Sequence, residues 1–321
     1  MGTTVVVGAG AAGLATADRL RRHDPIVLDA GARIGDSWRH RYAGLRLFTP
    51  ARWCALPGLP LPGDPDAHPG KDDYADYLES YADRQRIGVR LGTSVTAHAY
   101  RDGRHHLSTN HGDLVADRLV WASGAHAVPV VPPFADALDP AISQIHSVAF
   151  RDVIGAGPVL VVGAGQSGAD IAARLAATRR TCLAGPRTGT VPLAVARSRA
   201  VRALYRLPVP GERARRFLRR RASPLIWHTA RSLADAGVVR VPRVTGVRDG
   251  LPMLADGRVL PVATVVWCTG LRPRLDWLDP RAHGVPSLGF VGLPFQHTLS
   301  SGTLGGMSSD AARVARRLGL R

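Results

Sequence analysis

The strongest constraint on this chain is a glycine turn that occurs twice, as Gly8-Ala9-Gly10-Ala11-Ala12-Gly13 and as Gly163-Ala164-Gly165-Gln166-Ser167-Gly168. Each copy follows a short apolar run, Val5-Val6-Val7 or Val159-Leu160-Val161-Val162. Each then opens a stretch of helical composition, Leu14 to Arg22 or Ala169 to Ala177. Strand, turn and helix in this order form a dinucleotide-binding unit. The first glycine permits the tight turn, the second lets the backbone approach a pyrophosphate, and the third lets helix and strand pack closely; the helix N-terminus then faces the phosphates. A lone G-x-G-x-x-G is weak evidence, but here the required context is present twice. Two such sites in one chain point to electron transfer between two bound cofactors.

The copies differ downstream. In the first, Asp29 ends the run Ile26-Val27-Leu28, roughly 20 residues past the turn, where an acid takes a ribose hydroxyl pair. Its other reading is a solvated loop acid. In the second, the next apolar run is Thr181-Cys182-Leu183-Ala184, and Gly185-Pro186-Arg187 follows with no acid. An acid would repel a 2′-phosphate and an arginine would pair with it. The first site is therefore expected to hold FAD and the second NADPH. Arg187 is otherwise one surface arginine among many.

The two halves repeat one plan. Hairpin signals follow each turn: Asp102-Gly103 and Asn110-His111-Gly112 in the first half, Asp249-Gly250 and Asp256-Gly257 in the second. Each half closes on a strand ending in a small residue and glycine, Leu119-Val120-Trp121-Ala122-Ser123-Gly124 or Val265-Val266-Trp267-Cys268-Thr269-Gly270. The expected fold is α/β, with two Rossmann-like three-layer dinucleotide-binding domains. The tail from Phe290-Val291-Gly292-Leu293 reads as a last strand, a loop and a helix over Ser309 to Leu318 that return to the first domain. The FAD domain is thus expected over 1–152 and 268–321, with the NADPH domain, 153–267, inserted into it between crossovers near Pro129-Pro133 and Arg272-Pro273. Proline and glycine mark Pro57 to Gly70 as a loop, and Tyr74, Tyr77, Leu78 and Tyr81 recur at helical spacing after it.

The 321 residues suffice for two domains, and no apolar run reaches the roughly 18 residues of a membrane span. Met1-Gly2-Thr3-Thr4 leads straight into the first strand, so a cytoplasmic enzyme without a signal peptide is expected. Cys54, Cys182 and Cys268 are far apart and form no C-x-x-C, which excludes a neighbouring redox dithiol or a zinc ribbon. No histidine, His105-His106 included, has metal-ligand spacing, so no metal is expected. The formal net charge is +17, yet Lys71 is the only lysine, a pattern that fits an arginine-biased composition as well as a binding surface. The local extreme is 197–221, where ten arginines face Glu212 alone. Its readings are a solvated basic face, an edge of the NADPH site or a surface for an acidic partner. Nucleic acid is not expected, because no aromatic interleaving accompanies the charge.

Taken together these residues resemble the group B flavin monooxygenases: flavin-containing monooxygenases, YUCCA-type auxin-forming enzymes and their short bacterial relatives. Besides the two turns, the likeness rests on several segments. They are Gly35-Asp36-Ser37-Trp38; Leu45-Arg46-Leu47-Phe48-Thr49-Pro50-Ala51-Arg52-Trp53-Cys54-Ala55-Leu56-Pro57; Ala122-Ser123-Gly124; Cys268-Thr269-Gly270; and Gly302-Thr303-Leu304-Gly305-Gly306-Met307. The family fingerprint F-x-G-x-x-x-H-x-x-x-F/Y keeps His146 and Phe150, but Pro140 and Ile142 stand where Phe and Gly belong. Arg151 replaces the proline usual after the fingerprint in Baeyer–Villiger enzymes, so that subclass is disfavoured.

The resemblance implies that NADPH reduces FAD and that the flavin activates dioxygen as a C4a-(hydro)peroxide sheltered by NADP+. A small or biosynthetic metabolite would then undergo N- or S-oxygenation or oxidative decarboxylation. It implies cofactor contacts at Gly35, Trp38, Arg46, Gly124, His146, Thr269 and Gly270 besides the two turns, Asp29 and Arg187. Thr49, Arg52 and Gln296 are the candidates beside the flavin ring, since the asparagine many relatives place near it is missing here. His146 is read as a hinge or cofactor-shell residue before a proton shuttle. Two rival readings stay open. One is an NADPH-linked flavoprotein reductase serving a protein or quinone acceptor; the other is a cofactor-binding protein without turnover. The partners expected are a small-molecule substrate and dioxygen, with a homo-oligomer left open.

Overall fold

The apolar stretches Thr4–Val7, Val159–Val162 and Thr264–Trp267 are buried on both faces, as parallel strands require. With less buried neighbours they build two five-stranded parallel sheets. The computed structural model describes residues 2–151, 155–219 and 224–320. Arg220 and Arg221 of the basic stretch, and the expected boundary at 152/153, lie outside them.

The first sheet runs Leu288–Phe290, Arg118–Trp121, Thr4–Val7, Ile26–Leu28, Val89–Arg90. The second runs Val239–Val241, Thr181–Ala184, Val159–Val162, Thr264–Trp267, Ser143–His146. Strand periodicity divides each sheet's residues between two layers. Val6 and Val120 pack on Leu14, Leu20, Tyr74, Tyr81 and Val314 from helices. Val5, Val7 and Leu119 pack on Leu107 and Ala116 of a three-stranded antiparallel sheet. In the second sheet Val159 and Val161 face Ile171 and Leu175 of a helix, while Leu160, Val162 and Trp267 face Leu254 of the hairpin Val244–Arg248/Leu251–Leu254. Both halves are thus three-layered, as expected.

The turn chemistry holds as well. Asp102 and Gly103 both have positive φ, 53° and 73°, and so do Asp249 and Gly250, 51° and 74°; two left-handed residues in succession match the twist of a tight hairpin. The aromatic stripe lies on the helix Lys71–Gln85, with Tyr74, Tyr77, Leu78 and Tyr81 buried. Both glycine-turn helices start three residues before their expected first residues, at Ala11 and Gln166, and end at Leu20 and Ala176. Small side chains at the first turn carry no apolar period, so the sequence pattern marks the helix only once its buried face begins.

The final strand returns to the first sheet, and the helix Met307–Arg317 packs on the helix Ala11–Leu20. All second-sheet strands lie in the chain between strands Arg118–Trp121 and Leu288–Phe290 of the first sheet. One of them, Ser143–His146, precedes the expected 152/153 boundary and pairs with Thr264–Trp267. The second sheet therefore begins earlier in the chain than that boundary. No described helix is long and apolar enough to cross a membrane.

Candidate active site

At the first glycine turn, Gly8 has φ +105°, and a side chain there would collide with the Ala122 carbonyl. A Cβ on Gly13 would run into the Gly8 carbonyl oxygen. Gly10 is different: a Cβ would meet nothing within 4 Å. The open space lies at the N-terminus of the helix Ala11–Leu20, which Gly10 caps. That void beside unpaired helix N–H groups fits a pyrophosphate. Asp29 is half-buried, and its carboxylate accepts from Ala9 N at 2.5 Å and Gly31 N at 2.7 Å. It braces the turn, and each oxygen keeps a lone pair for a ribose hydroxyl.

The second turn reproduces this geometry. Gly163 has φ +108° against the Cys268 carbonyl, Gly168 abuts the Gly163 carbonyl, and Gly165 opens onto empty space. The loop after the next strand is tied back by Thr188 Oγ1, which donates to Ala164 O at 2.9 Å. Arg240, which the sequence pattern did not single out, donates from Nη2 to Gly185 O at 3.1 Å and Pro186 O at 3.0 Å. Its pKa is lowered by burial and then by the cation of Arg187. Arg187 and Arg240 thus gather positive charge at the strand ends where a 2′-phosphate would sit. Gln166 Nε2 donates to Pro224 O at 2.9 Å. Gln166 Oε1 is buried and unpaired, and Ser167 lies beside Tyr42.

Both sheets end at one connection. Past strands Arg118–Trp121 and Thr264–Trp267, the chain passes Gly124 and Gly270, both at positive φ with open space around them. It then pairs Val128–Pro129 with Leu271–Arg272, antiparallel. The chain leaves the carboxyl ends of both sheets, where ligands of this architecture bind, through this one paired connection. Thr269 Oγ1 donates to Val130 O, fastening the crossover. His146 ends the edge strand; its Nε2–H donates to Gly270 O at 3.1 Å and its Nδ1 accepts from Val148 N at 3.3 Å. Both nitrogens are engaged and burial lowers its pKa, so the ring is a neutral clamp on the Gly270 turn.

The remaining expected residues make mostly packing and pairing contacts. Gly35, at φ +89°, lets its segment lie against Ala75 of the helix Lys71–Gln85. Trp38 meets Tyr74 edge-on at 5.1 Å. Arg46 stacks over Trp227 of the second half at 4.8 Å. Thr49 Oγ1 lies 2.9 Å from Cys54 Sγ. Arg52 pairs with Asp66 and lies over the Trp53 ring at 5.3 Å. Gln296 sits in a loop where Phe295 has φ +57°, and its Oε1 is buried without a partner. An orphaned buried acceptor costs about 1–3 kcal/mol, and a ring N–H of a bound flavin is the kind of donor that would satisfy it.

Contacts between the halves form a set that no local pattern signals. Tyr42 Oη donates to Asp170 Oδ2 at 2.8 Å, and His228 Nε2 lies 2.8 Å from Asp170 Oδ1. His68 meets Trp227 edge-on at 4.7 Å and accepts from Arg197 Nε at 2.8 Å. The basic stretch crosses onto the first half: Ser300 N donates to Tyr205 O at 2.7 Å, Leu299 N to Leu207 O at 3.1 Å, and Val209 N to His297 O at 3.0 Å. In this docked strap Arg199, Arg202, Arg206, Arg213 and Arg216 are exposed, while Arg197 and Arg215 are half-buried. Burial pushes the Cys54 thiol up to about 11 and the Cys268 thiol up to about 12.

Comparison with known proteins agrees with this geometry. The profile of the pyridine nucleotide-disulphide oxidoreductase family matches residues 5–188. An uncharacterized oxidoreductase, CzcO-like, of Geobacillus kaustophilus is 33% identical over 331 residues, covering 96% of this chain and 95% of that protein. The indole-3-pyruvate monooxygenase YUCCA1 of Oryza sativa is 35% identical over 175 residues, 52% of this chain and 43% of that one. Among solved structures, a mutant flavin monooxygenase from Stenotrophomonas maltophilia superposes with a TM-score of 0.77 at 25% identity, covering 99% of this chain and 98% of that one.

Proposed function

The chain belongs to the pyridine nucleotide-disulphide oxidoreductase family, and on that premise we propose that it is an FAD- and NADPH-dependent monooxygenase acting on a small metabolite. The observation that carries this reading is the pair of open glycine turns, at Gly10 and Gly165, in two sheets joined by one paired connection. FAD would lie on the first turn, with Gly8, Gly10, Gly13 and Asp29, and NADPH on the second, with Gly163, Gly165, Gln166, Ser167 and Gly168. The division into 1–152 with 268–321 and 153–267 follows the same assignment, with the strand Ser143–His146 contributed across the boundary.

When bound, the flavin would take a hydride from NADPH and activate dioxygen. The protein's part is binding, orientation and exclusion of water. Arg187 and Arg240 would hold the 2′-phosphate as paired cations. His146 fixes the Gly270 turn, and the Tyr42–Asp170–His228 chain fixes the second turn's helix against the first half. The strap 205–209, laid on 297–300 beside Gln296, would help exclude water, and a dry site protects a water-sensitive oxygen species. Thr49, Arg52 and Gln296 remain the candidates for contacts near the flavin ring.

The rival reductase reading is weakened in its dithiol form, because a nucleophilic thiol must ionise. Cys54 and Cys268 are held protonated by burial, and the three cysteines are all free. The deciding experiment mixes the NADPH-reduced protein with oxygen in a stopped-flow spectrometer. A monooxygenase gives a transient phase before oxidised flavin returns, longer-lived with NADP+ present. Direct return in a single phase, unaffected by NADP+, would transfer the assignment to the reductase.

A further inference from the structure

The basic stretch presents a surface that the proposed reaction does not use. Among the described residues eleven large apolar side chains are exposed, and five of them, Val195, Leu204, Tyr205, Leu207 and Phe217, fall within 195–217. Single exposed apolar residues are ordinary, but a group of them rimmed by charge marks an interaction site. Here the charge is arginine: Arg199, Arg202, Arg206, Arg213 and Arg216 are all exposed. Glu212 is the only acid from 193 to 219, and it lies 3.5 Å from Arg215, which is half-buried.

The docking of this stretch fixes which way its side chains go. Ser300 N donates to Tyr205 O, Leu299 N to Leu207 O and Val209 N to His297 O, so segment 205–209 uses its main chain to hold the first half. Val209 is buried there, whereas Leu207 is 52% exposed. In the helix Arg199–Tyr205, Arg202 reaches inward over the Trp53 ring. Leu204, two residues on, is turned about 200° round the helix axis and is 50% exposed. In the helix Gly211–Arg219, Ala214, Arg215 and Leu218 are half-buried on one side. Arg213, Arg216 and Phe217 are exposed on the other, at i, i+3, i+4 spacing. Burial, then the cations of Arg313 and Arg215, lowers the His297 pKa to about 4. Arg215 therefore lies near the residue that accepts Val209 N–H, and the helix and the strap meet at one loop.

The mixture on the outward face selects its partner. An acidic protein or a soluble polyanion would take up the guanidiniums and leave Leu204, Leu207 and Phe217 in water. The surface of an anionic bilayer takes both kinds of group. Its phosphates match guanidinium forks bidentately, and its headgroup boundary admits apolar side chains to a shallow depth. Helices of seven and nine residues are too short to cross a bilayer, so the contact would be peripheral.

We propose that the outward face of 195–217 is a peripheral docking surface for an anionic lipid bilayer, with Arg206, Arg213 and Arg216 on headgroup phosphates and Leu204, Tyr205 and Leu207 in the boundary layer. The assignment does not depend on which nucleotides the glycine turns hold.

Co-sedimentation of the purified full chain with phosphatidylcholine vesicles, with or without phosphatidylglycerol, tests it at physiological ionic strength. Binding is read directly, so failure here is separable from failure of the flavin assignment, which flavin absorbance reports. Vesicles with phosphatidylglycerol should bind, and those without it should bind far more weakly. An arginine near an anionic surface is worth about 1 kcal/mol, or about fivefold in binding. The double variant R213Q/R216Q should therefore weaken binding about 25-fold. The control R243Q/R248Q, which removes two exposed arginines from the second half, should change it little. L204Q/L207Q keeps every charge and should weaken vesicle binding about fivefold or more, while binding of poly-glutamate stays unchanged. All the substituted side chains are exposed, and circular dichroism confirms that each variant folds. Equal binding to the two vesicle types, or an equal loss in R243Q/R248Q and R213Q/R216Q, would overturn the proposal. Undiminished vesicle binding by L204Q/L207Q would also overturn it, and would give the surface to an acidic protein instead.

Discussion

Substituting alanine at the second or third glycine of each turn separates ligand space from folding space. Gly10 has φ −74° and ψ −172°, an extended conformation that any residue adopts, and no atom lies within 4 Å of its would-be Cβ. Gly10→Ala therefore strains nothing in the ligand-free chain. Reduced unfolded-state freedom should even stabilise it by about 0.4–1 kcal/mol, or up to about 2–4 °C in melting temperature. The same methyl group stands where a pyrophosphate would approach the helix N-terminus. Displacing one charge-assisted N–H contact costs about 1.5–3 kcal/mol, so FAD affinity should fall about tenfold to a hundredfold. Gly13→Ala is the opposite case: its Cβ overlaps the Gly8 carbonyl oxygen, so the turn must open and the chain should melt early or fail to fold. Flavin-free protein is prepared by dialysis, melted by scanning calorimetry, and titrated with FAD by flavin fluorescence. Gly165, at φ −78° and ψ −170°, offers the same test for NADPH. If Gly10→Ala keeps full FAD affinity, or loses stability without ligand, the open space at Gly10 is not a nucleotide cradle.

Arg240→Gln and Arg187→Ala should each raise the Michaelis constant for NADPH about tenfold or more while changing that for NADH little, because only the former carries the 2′-phosphate; steady-state kinetics with both cofactors checks this, and equal effects refute it. His98 and His105 form a buried relay in which Asp279 N–H donates to His98 Nδ1, His98 Nε2–H to His105 Nδ1, and His105 Nε2–H to Ser287 Oγ, with ring nitrogens 3.0 Å apart. Burial, followed by the neighbouring His98, lowers the pKa of His105 to about 4, against an ordinary 6.5. The stability it contributes is complete above pH 6.5 and is lost as pH falls toward 4, about 3 kcal/mol in all; urea unfolding between pH 7 and pH 4 should show the loss, and His105→Gln should flatten it. Asp310 is buried with one oxygen held by Ser301 at 3.1 Å and the other unpaired, and burial raises its pKa to about 6. Its native state disfavours the charged form, so stability falls as pH rises from about 4 through 6, and Asp310→Asn should raise the melting temperature at pH 8 but not at pH 4.

The architecture was legible because its determinants are local. Val5-Val6-Val7 and Val159-Leu160-Val161-Val162 are continuous apolar runs, so they had to be strands buried on both faces. The two glycine turns carry their geometry in three residues each, and Asp102-Gly103 and Asp249-Gly250 specify hairpins by left-handed conformation alone. The helix at Tyr74, Tyr77, Leu78 and Tyr81 follows from a period the chain displays openly. Pairings across the chain had no such signature. Asp29 proved to brace Ala9 and Gly31 because the turn and the strand end meet in space. Arg240 lies far along the chain from the Gly185-Pro186 loop it supports, and parallel pairing of the strands Thr181–Ala184 and Val239–Val241 brings them together. Tyr42, Asp170 and His228 belong to three separated segments and become a chain of hydrogen bonds only when the halves dock. The arginine-rich composition likewise said nothing of place: a guanidinium is solvated almost anywhere on a surface, and only docking of the strap sets Arg199 and Arg202 beside Trp53. Periodicity and turn chemistry act between neighbours in sequence, so the chain alone determined its strands, hairpins and nucleotide turns. Charge pairing and cavity shape act between neighbours in space, and those the tertiary structure decided.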